Sequence, residues 1–157
     1  MTQYTDYTKY FEALATEFCG HLPTEKHFFR KGLEEFLNGM QTSVNYPAML
    51  LGRYDYQYND NTSDDVSKVR TIAFIICDNV TDPEDYDKID AAIDIAEEIC
   101  DKIYNRIRED KKPSSQHEFL KYARLGNIQA TPVENYADGN YGYYVTIEIF
   151  SHHDARI

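Results

Sequence analysis

The sequence predicts an α+β domain: an antiparallel sheet of two β-hairpins packed on one long central helix, with helices at the N-terminus. Three observations carry this expectation. Residues 82–112 are the longest periodic stretch, with Ile89, Ala92, Ile93, Ala96, Ile99, Cys100, Ile103 and Ile107 at the three- and four-residue spacing of one helical face. Residues 46–58 and 67–78 read as strands separated by a polar tract. An Asp138-Gly139 pair stands between the strand-like runs 125–136 and 141–150, and Asp-Gly is a strong signal for a tight hairpin turn.

From the N-terminus, Tyr4, Tyr7, Phe11, Leu14 and Phe18 lie on one face with Asp6, Lys9, Glu12 and Glu17 opposite, which predicts a helix of about four turns ending near Gly20. A second helix is expected over 24–38, with Phe29, Leu33, Phe36 and Leu37 apolar, Thr24 as its cap and Gly39 at its end. Residues 46–58 form one long strand in which Tyr54, Tyr56 and Tyr58 share a face. The tract NDNTSDD at 59–65 is a loop. In 67–78 the run 72–77 has no polar alternation, as in a strand covered on both sides.

Asp82 is placed to cap the central helix, Pro83 suits its first position, and Arg106, Arg108, Lys111 and Lys112 oppose the dipole before Pro113 stops the run. The five isoleucines of its apolar face, if buried, are worth on the order of 10 kcal/mol before entropy. A short helix over 113–124 is expected, anchored by Phe119, Leu120 and Ala123. The strand at 125–136 contains Pro132, which assigns it to an edge. In the return strand 141–150, Tyr143, Val145, Ile147 and Ile149 point inward, and residues 152–157 form a polar tail that frays.

At 157 residues the chain is read as one domain. Its 27 acidic residues outnumber 16 basic ones, a net charge of −11 that opposes direct binding of a phosphate backbone. No basic segment followed by an apolar run begins the chain and no apolar stretch approaches ~18 residues, so a cytoplasmic protein without membrane contact is expected. Cys19, Cys77 and Cys100 lie singly in apolar patterns and read as reduced, inert core thiols.

No phosphate-binding glycine loop, nucleophile elbow or HExxH zinc motif is present, and a non-enzymatic protein without cofactor is expected. His152, His153 and Asp154 are the one concentrated group of ligand-type side chains. Adjacent residues on a strand point to opposite sides, so a solvated tail is preferred to a metal site. The carboxylates of 82–112 fall on its solvent side. The remaining signal is tyrosine, 14 of them with no tryptophan. Tyr54, Tyr56, Tyr58, Tyr141 and Tyr144 are candidates for a subunit interface, against the plainer reading as cross-strand packing over a helix.

The order of YPAMLLGRYDYQY, VRTIAFIICDNV, the helix from Asp82 and the ending VENYADGNYGYYVTIEIF resembles that of tailed-phage tail terminator and head–tail joining (neck) proteins. The resemblance covers most of the chain as a pattern and assigns no individual residue. It implies an assembly role: identical subunits in a ring that caps a tail tube or joins it to the head, alongside other structural proteins, in the host cytoplasm or the virion. Two rivals are a small ligand-binding or regulatory α+β domain, and an acidic DNA-mimicking inhibitor that uses the carboxylates of the central helix.

Overall fold

The computed structural model describes residues 3–30, 44–60, 66–117, 119–136 and 139–153. It is an α+β fold. In chain order it contains α1 (Gln3–Phe18), β1 (Phe28–Arg30), β2 (Ala48–Leu51), β3 (Asp55–Asp60), β4 (Val66–Asn79), α2 (Tyr86–Asp110), β5 (Arg124–Tyr136) and β6 (Asn140–His153). The described strands form a mixed six-stranded sheet ordered β1-β2-β4-β6-β5, with β3 also on β4. This is richer than two antiparallel hairpins, because β1 pairs with β2 in parallel.

The long β4 is the spine. Its second half pairs with β2, its first half with β3, and its whole length with β6. Helix α2 lies against β4 and β6, and α1 packs on α2, β1 and β2. The main core fills the space between: Tyr7, Phe11 and Leu14 of α1, Ile99, Ile103 and Ile107 of α2, Ile72, Phe74 and Ile76 of β4, and Val145, Ile147 and Ile149 of β6. Every second residue of the strands enters this core, as the pleat requires. A smaller cluster of Phe29, Ala48, Leu50 and Cys77 lies on the opposite face. Thus 72–77 is indeed flanked by apolar clusters on both sides.

Several expectations are corrected. The helix predicted over 24–38 does not begin as one: residues 28–30 are strand β1, and the remainder beyond Arg30 lies outside the described residues. Phe28 joins the main core and Phe29 the opposite cluster. Adjacent side chains on opposite faces are a strand's geometry, since neighbours on a helix lie only ~100° apart. The helix expected over 113–124 is replaced by turns. Lys112 accepts from the Ser115 N–H, Ser115 Oγ accepts from the His117 N–H at 3.2 Å, and Tyr122 has a positive φ of 57°. Side-chain oxygens that take local N–H groups compete with a helix. Phe119 and Leu120 are nonetheless buried in the main core.

Helix α2 starts three residues later than Asp82 implied. Asp85 is its cap, accepting from the Lys88 N–H at 3.2 Å, while Asp82 accepts from the Glu84 N–H within the preceding turn. Pro83 therefore sits in that turn. At the other end the Lys111 N–H closes on the Ile107 carbonyl. Pro132 lies in β5, an edge of the sheet, as its missing N–H demands. The backbone of His152 and His153 is not frayed: both belong to β6, paired with Ser67 and Val66. Asp154 lies outside the described residues.

The strand expected over 46–58 is broken in two. Leu51 pairs with Phe74 and Asp55 with Thr71, so residues 52–54 oppose only 72 and 73. That one-residue excess is a β-bulge, and it reverses which residues face the helices. Before it, Met49 and Leu51 point into the main core; after it, Tyr54 does. Tyr56 and Tyr58, at even spacing from Tyr54, therefore share its side of the sheet.

Candidate functional site

The bulge delivers Tyr54, Tyr56 and Tyr58 to the face on which α1 begins, and there a file of aromatic rings forms. Tyr7 is fully buried, and its hydroxyl donates to the Gly52 carbonyl at 2.8 Å, inside the bulge itself. Its ring meets Tyr54 edge-on at 4.9 Å, and Tyr4 lies 5.4 Å from Tyr54. Tyr54 to Tyr56 is 6.4 Å and Tyr56 to Tyr58 is 5.9 Å. Centroid spacings in this range are those of favourable aromatic pairs. The file runs from the core out along β3, where Tyr56 is 55% exposed and Tyr58 52%.

Two cations of β4 lie across from these rings. Tyr56 pairs with Arg70 and Tyr58 with Lys68. Lys68 Nζ lies 4.1 Å from the Tyr56 centroid and 5.9 Å from that of Tyr58, and Arg70 Cζ is 5.3 Å from the Tyr54 centroid. Partial burial, followed by the charge of Arg70, holds the Lys68 ammonium below its ordinary pKa. Arg70 is 2% exposed. Its guanidinium donates to the Gln3 side-chain oxygen and, at 3.4 Å, to Ser151 Oγ, whose own hydroxyl donates to the Phe119 carbonyl. Its Nε has no hydrogen-bond partner. Among the described residues no carboxylate is paired with Lys68 or Arg70.

The five tyrosines singled out from sequence do not form one surface. Tyr54 is partly buried against the core, and Tyr56 and Tyr58 lie exposed on β3. Tyr144 is 41% exposed, but it pairs with Ile75 and points to the opposite side of the sheet. Tyr141 is corrected outright. At 5% exposure it packs with Val80, Ile89 and Ala92 beneath the start of α2, and it is a core residue. Sequence reasoning missed Tyr4, Lys68 and Arg70 as neighbours of the file; the register of β3 on β4 brings in the two cations, and the packing of α1 brings in Tyr4.

A second cluster lies where α1 passes the end of α2. His117 Nδ1 is 2.9 Å from Asp6 Oδ1, the Tyr10 hydroxyl donates to Asp110 Oδ2 at 2.8 Å, and the Tyr10 and His117 rings are 4.7 Å apart. Asp110 and His117 also edge a depression of about 300 Å³ with Lys112, Ser114, Ser115 and Gln116. An imidazole fixed by a carboxylate is half of a nucleophile-activating arrangement. The other half is missing: Ser115 Oγ accepts the His117 N–H, and among the described residues no hydroxyl bonds the ring's remaining nitrogen. The cluster ties α1, α2 and the 111–123 connection together. Tyr10→Phe is expected to cost about 1–2 kcal/mol, because Asp110 loses its buried donor. Urea denaturation of the single and Asp110→Asn double variants checks it, and additive effects of the two changes would contradict the bond.

The three thiols are buried or nearly so, and burial pushes Cys19, Cys77 and Cys100 up to about 12. A thiol held that far from ionisation is no nucleophile at neutral pH. Among the described residues no group of His, Cys, Asp and Glu could hold a metal ion, and no helix is long and apolar enough to cross a membrane.

The fold and this surface define an α+β domain with helices on one face of a mixed sheet and a tyrosine-lined edge strand, β3, on the same sheet. No protein-family model matches the chain, and no curated protein matches it.

Proposed function

We propose that the protein is a non-enzymatic assembly subunit that associates with further copies of itself and with other structural proteins, in the manner of a phage tail terminator or neck ring subunit working in the host cytoplasm or virion. The observation that carries the reading is the exposed Tyr56–Tyr58 pair on β3, with Lys68 Nζ over the Tyr56 ring and Tyr54 next in the file. Large aromatic side chains with few rotors lose little entropy on docking and are over-represented among residues that dominate interfaces. The element order supports the same reading through its resemblance to such subunits.

Size-exclusion chromatography with light scattering tests it. The protein is expected to run as an oligomer, and Tyr56→Ser with Tyr58→Ser is expected to cost ~2 kcal/mol or more of association free energy while far-ultraviolet circular dichroism stays unchanged. A protein that is monomeric at every accessible concentration overturns the proposal. If that monomer blocked a DNA-processing enzyme in a salt-sensitive way, the DNA-mimic reading would replace it. A co-purified small molecule would favour the ligand-binding domain instead.

A further inference from the structure

We infer that His21 is an acid-sensitive latch on the edge strand β1: neutral, it fastens the strand to the end of α1, and protonated, it lets go. The end of the helix sets the histidine in place. Cys19 and His21 both donate their N–H groups to the Ala15 carbonyl, at 2.8 and 3.2 Å, around Gly20 with its φ of 78°. Leu22 and Glu25 then exchange backbone hydrogen bonds, which turns the chain back on itself. His21 Nδ1 thereby accepts the backbone N–H of His27 at 3.0 Å. From His27 the connection continues into the sheet. Its carbonyl accepts from the Met49 N–H at 2.8 Å, and Phe28 pairs with Met49 of β2.

The bond fixes the charge state of the ring. A backbone N–H can only donate, so Nδ1 keeps its lone pair and Nε2 carries the proton. A second proton sets two N–H groups against each other and strands the His27 donor away from water. The His21 side chain is only 13% exposed and His27 7%. His27 cannot play the same part, because its Nδ1 donates to the Pro47 carbonyl at 2.8 Å in either charge state. Glu12 of α1 lies 3.6 Å from His21 Nε2 and favours the imidazolium, while His27 and Lys26 oppose it. Burial outweighs the carboxylate and holds the imidazole below its ordinary pKa. A group lowered in this way takes up its proton first in the opened segment. The latch is therefore complete above pH ~6.5 and weakens as the pH falls below it. β1 pairs with β2 at three positions, against fourteen between β4 and β6, so acid loosens the edge and leaves the spine closed. This device goes beyond the assembly reading and stands apart from it.

Hydrogen exchange read by mass spectrometry at pH ~7.5 and ~5.5 tests the latch. Rates are corrected for intrinsic exchange and referenced to the amides of β4 and β6. Opening of residues 26–30 is expected to rise severalfold at the lower pH, toward a ceiling of about tenfold, while the reference strands stay protected. His21→Asn puts an amide oxygen near the place of Nδ1 and cannot titrate, so it is expected to keep β1 protected at both pH values. If residues 26–30 of the wild-type protein are equally protected at both, there is no latch and the inference falls. An equal acid opening in His21→Asn assigns the titration to another group and overturns it as well. An NMR titration of the His21 ring in the wild-type protein decides the matter where the variant does not fold. A ring that titrates at or above its ordinary pKa contradicts the latch, and one that titrates below it supports it.

Discussion

Gly142→Ala is expected to lower the stability of the protein by more than ~4 kcal/mol. Gly142 lies inside β6, opposite Cys77 of β4 and Val133 of β5, at the middle of the sheet. A Cβ built there penetrates the Ile76 carbonyl oxygen and lies 2.9 Å from the Cys77 Cα, both backbone atoms. Backbone cannot rotate away as a flexible side chain would, so β4 and β6 must separate along the spine that supports every other strand. Overpacking in a core ordinarily costs about 1–3 kcal/mol; a clash with backbone at the central ladder should exceed ~4 kcal/mol, a large part of the 5–15 kcal/mol that holds a typical domain together. Gly20→Ala is the matched control. Gly20 has a φ of 78° with nothing within 4 Å of a built Cβ, so it should cost only about 1 kcal/mol through backbone strain. Urea midpoints of the two variants measure the contrast, and a Gly142→Ala protein as stable as the Gly20→Ala control would show that the sheet tolerates the intrusion.

Gly142 also illustrates where the sequence was readable and where it was not. The strand around it, helix α2, β4 and the edge placement of β5 were legible because each carries one dominant signal: a 3.6-residue period, an unbroken apolar run, or a proline. The elements that were misread carry two competing signals. Phe28 and Phe29 fit an amphipathic helix by composition, and only pairing with β2 shows that they fill opposite faces. Asp82 and Asp85 are both good caps, and the choice between them rests on the turn that Asp82 closes with Glu84. The bulge at 52–54 leaves no trace in the alternation of Tyr54, Tyr56 and Tyr58, yet it decides that these rings meet α1 and not the far side of the sheet. Arg70 was invisible because arginine is seldom fully buried, and Asp6 and His117 because 111 residues separate them. In this chain the candidate surface depends on tertiary register, which no local pattern encodes.

Alkaline instability is the second large effect expected, and its sign follows from burial. Cys19, Cys77 and Cys100 are raised in the folded protein from 9.0 to about 12, chiefly by desolvation. Tyr7 and Tyr10 are raised for the same leading reason, with Asp110 adding to the shift at Tyr10. The unfolded chain releases these protons at lower pH than the folded one, so their contribution is complete below pH ~9 and is lost as pH rises toward 12. At pH ~10 each thiol should forfeit about 1.4 kcal/mol, on the order of 4 kcal/mol for the three, and the tyrosines add a smaller amount that grows above this pH. Urea unfolding at pH 7 and pH 10 reads the difference directly. Replacing Cys19 and Cys100 with alanine should flatten the slope by about two protons, which separates the thiols from every other alkaline group. A native protein equally stable at both pH values would mean that the thiols ionise as freely inside the fold as outside it, and the inert-core reading of all three would fail with it.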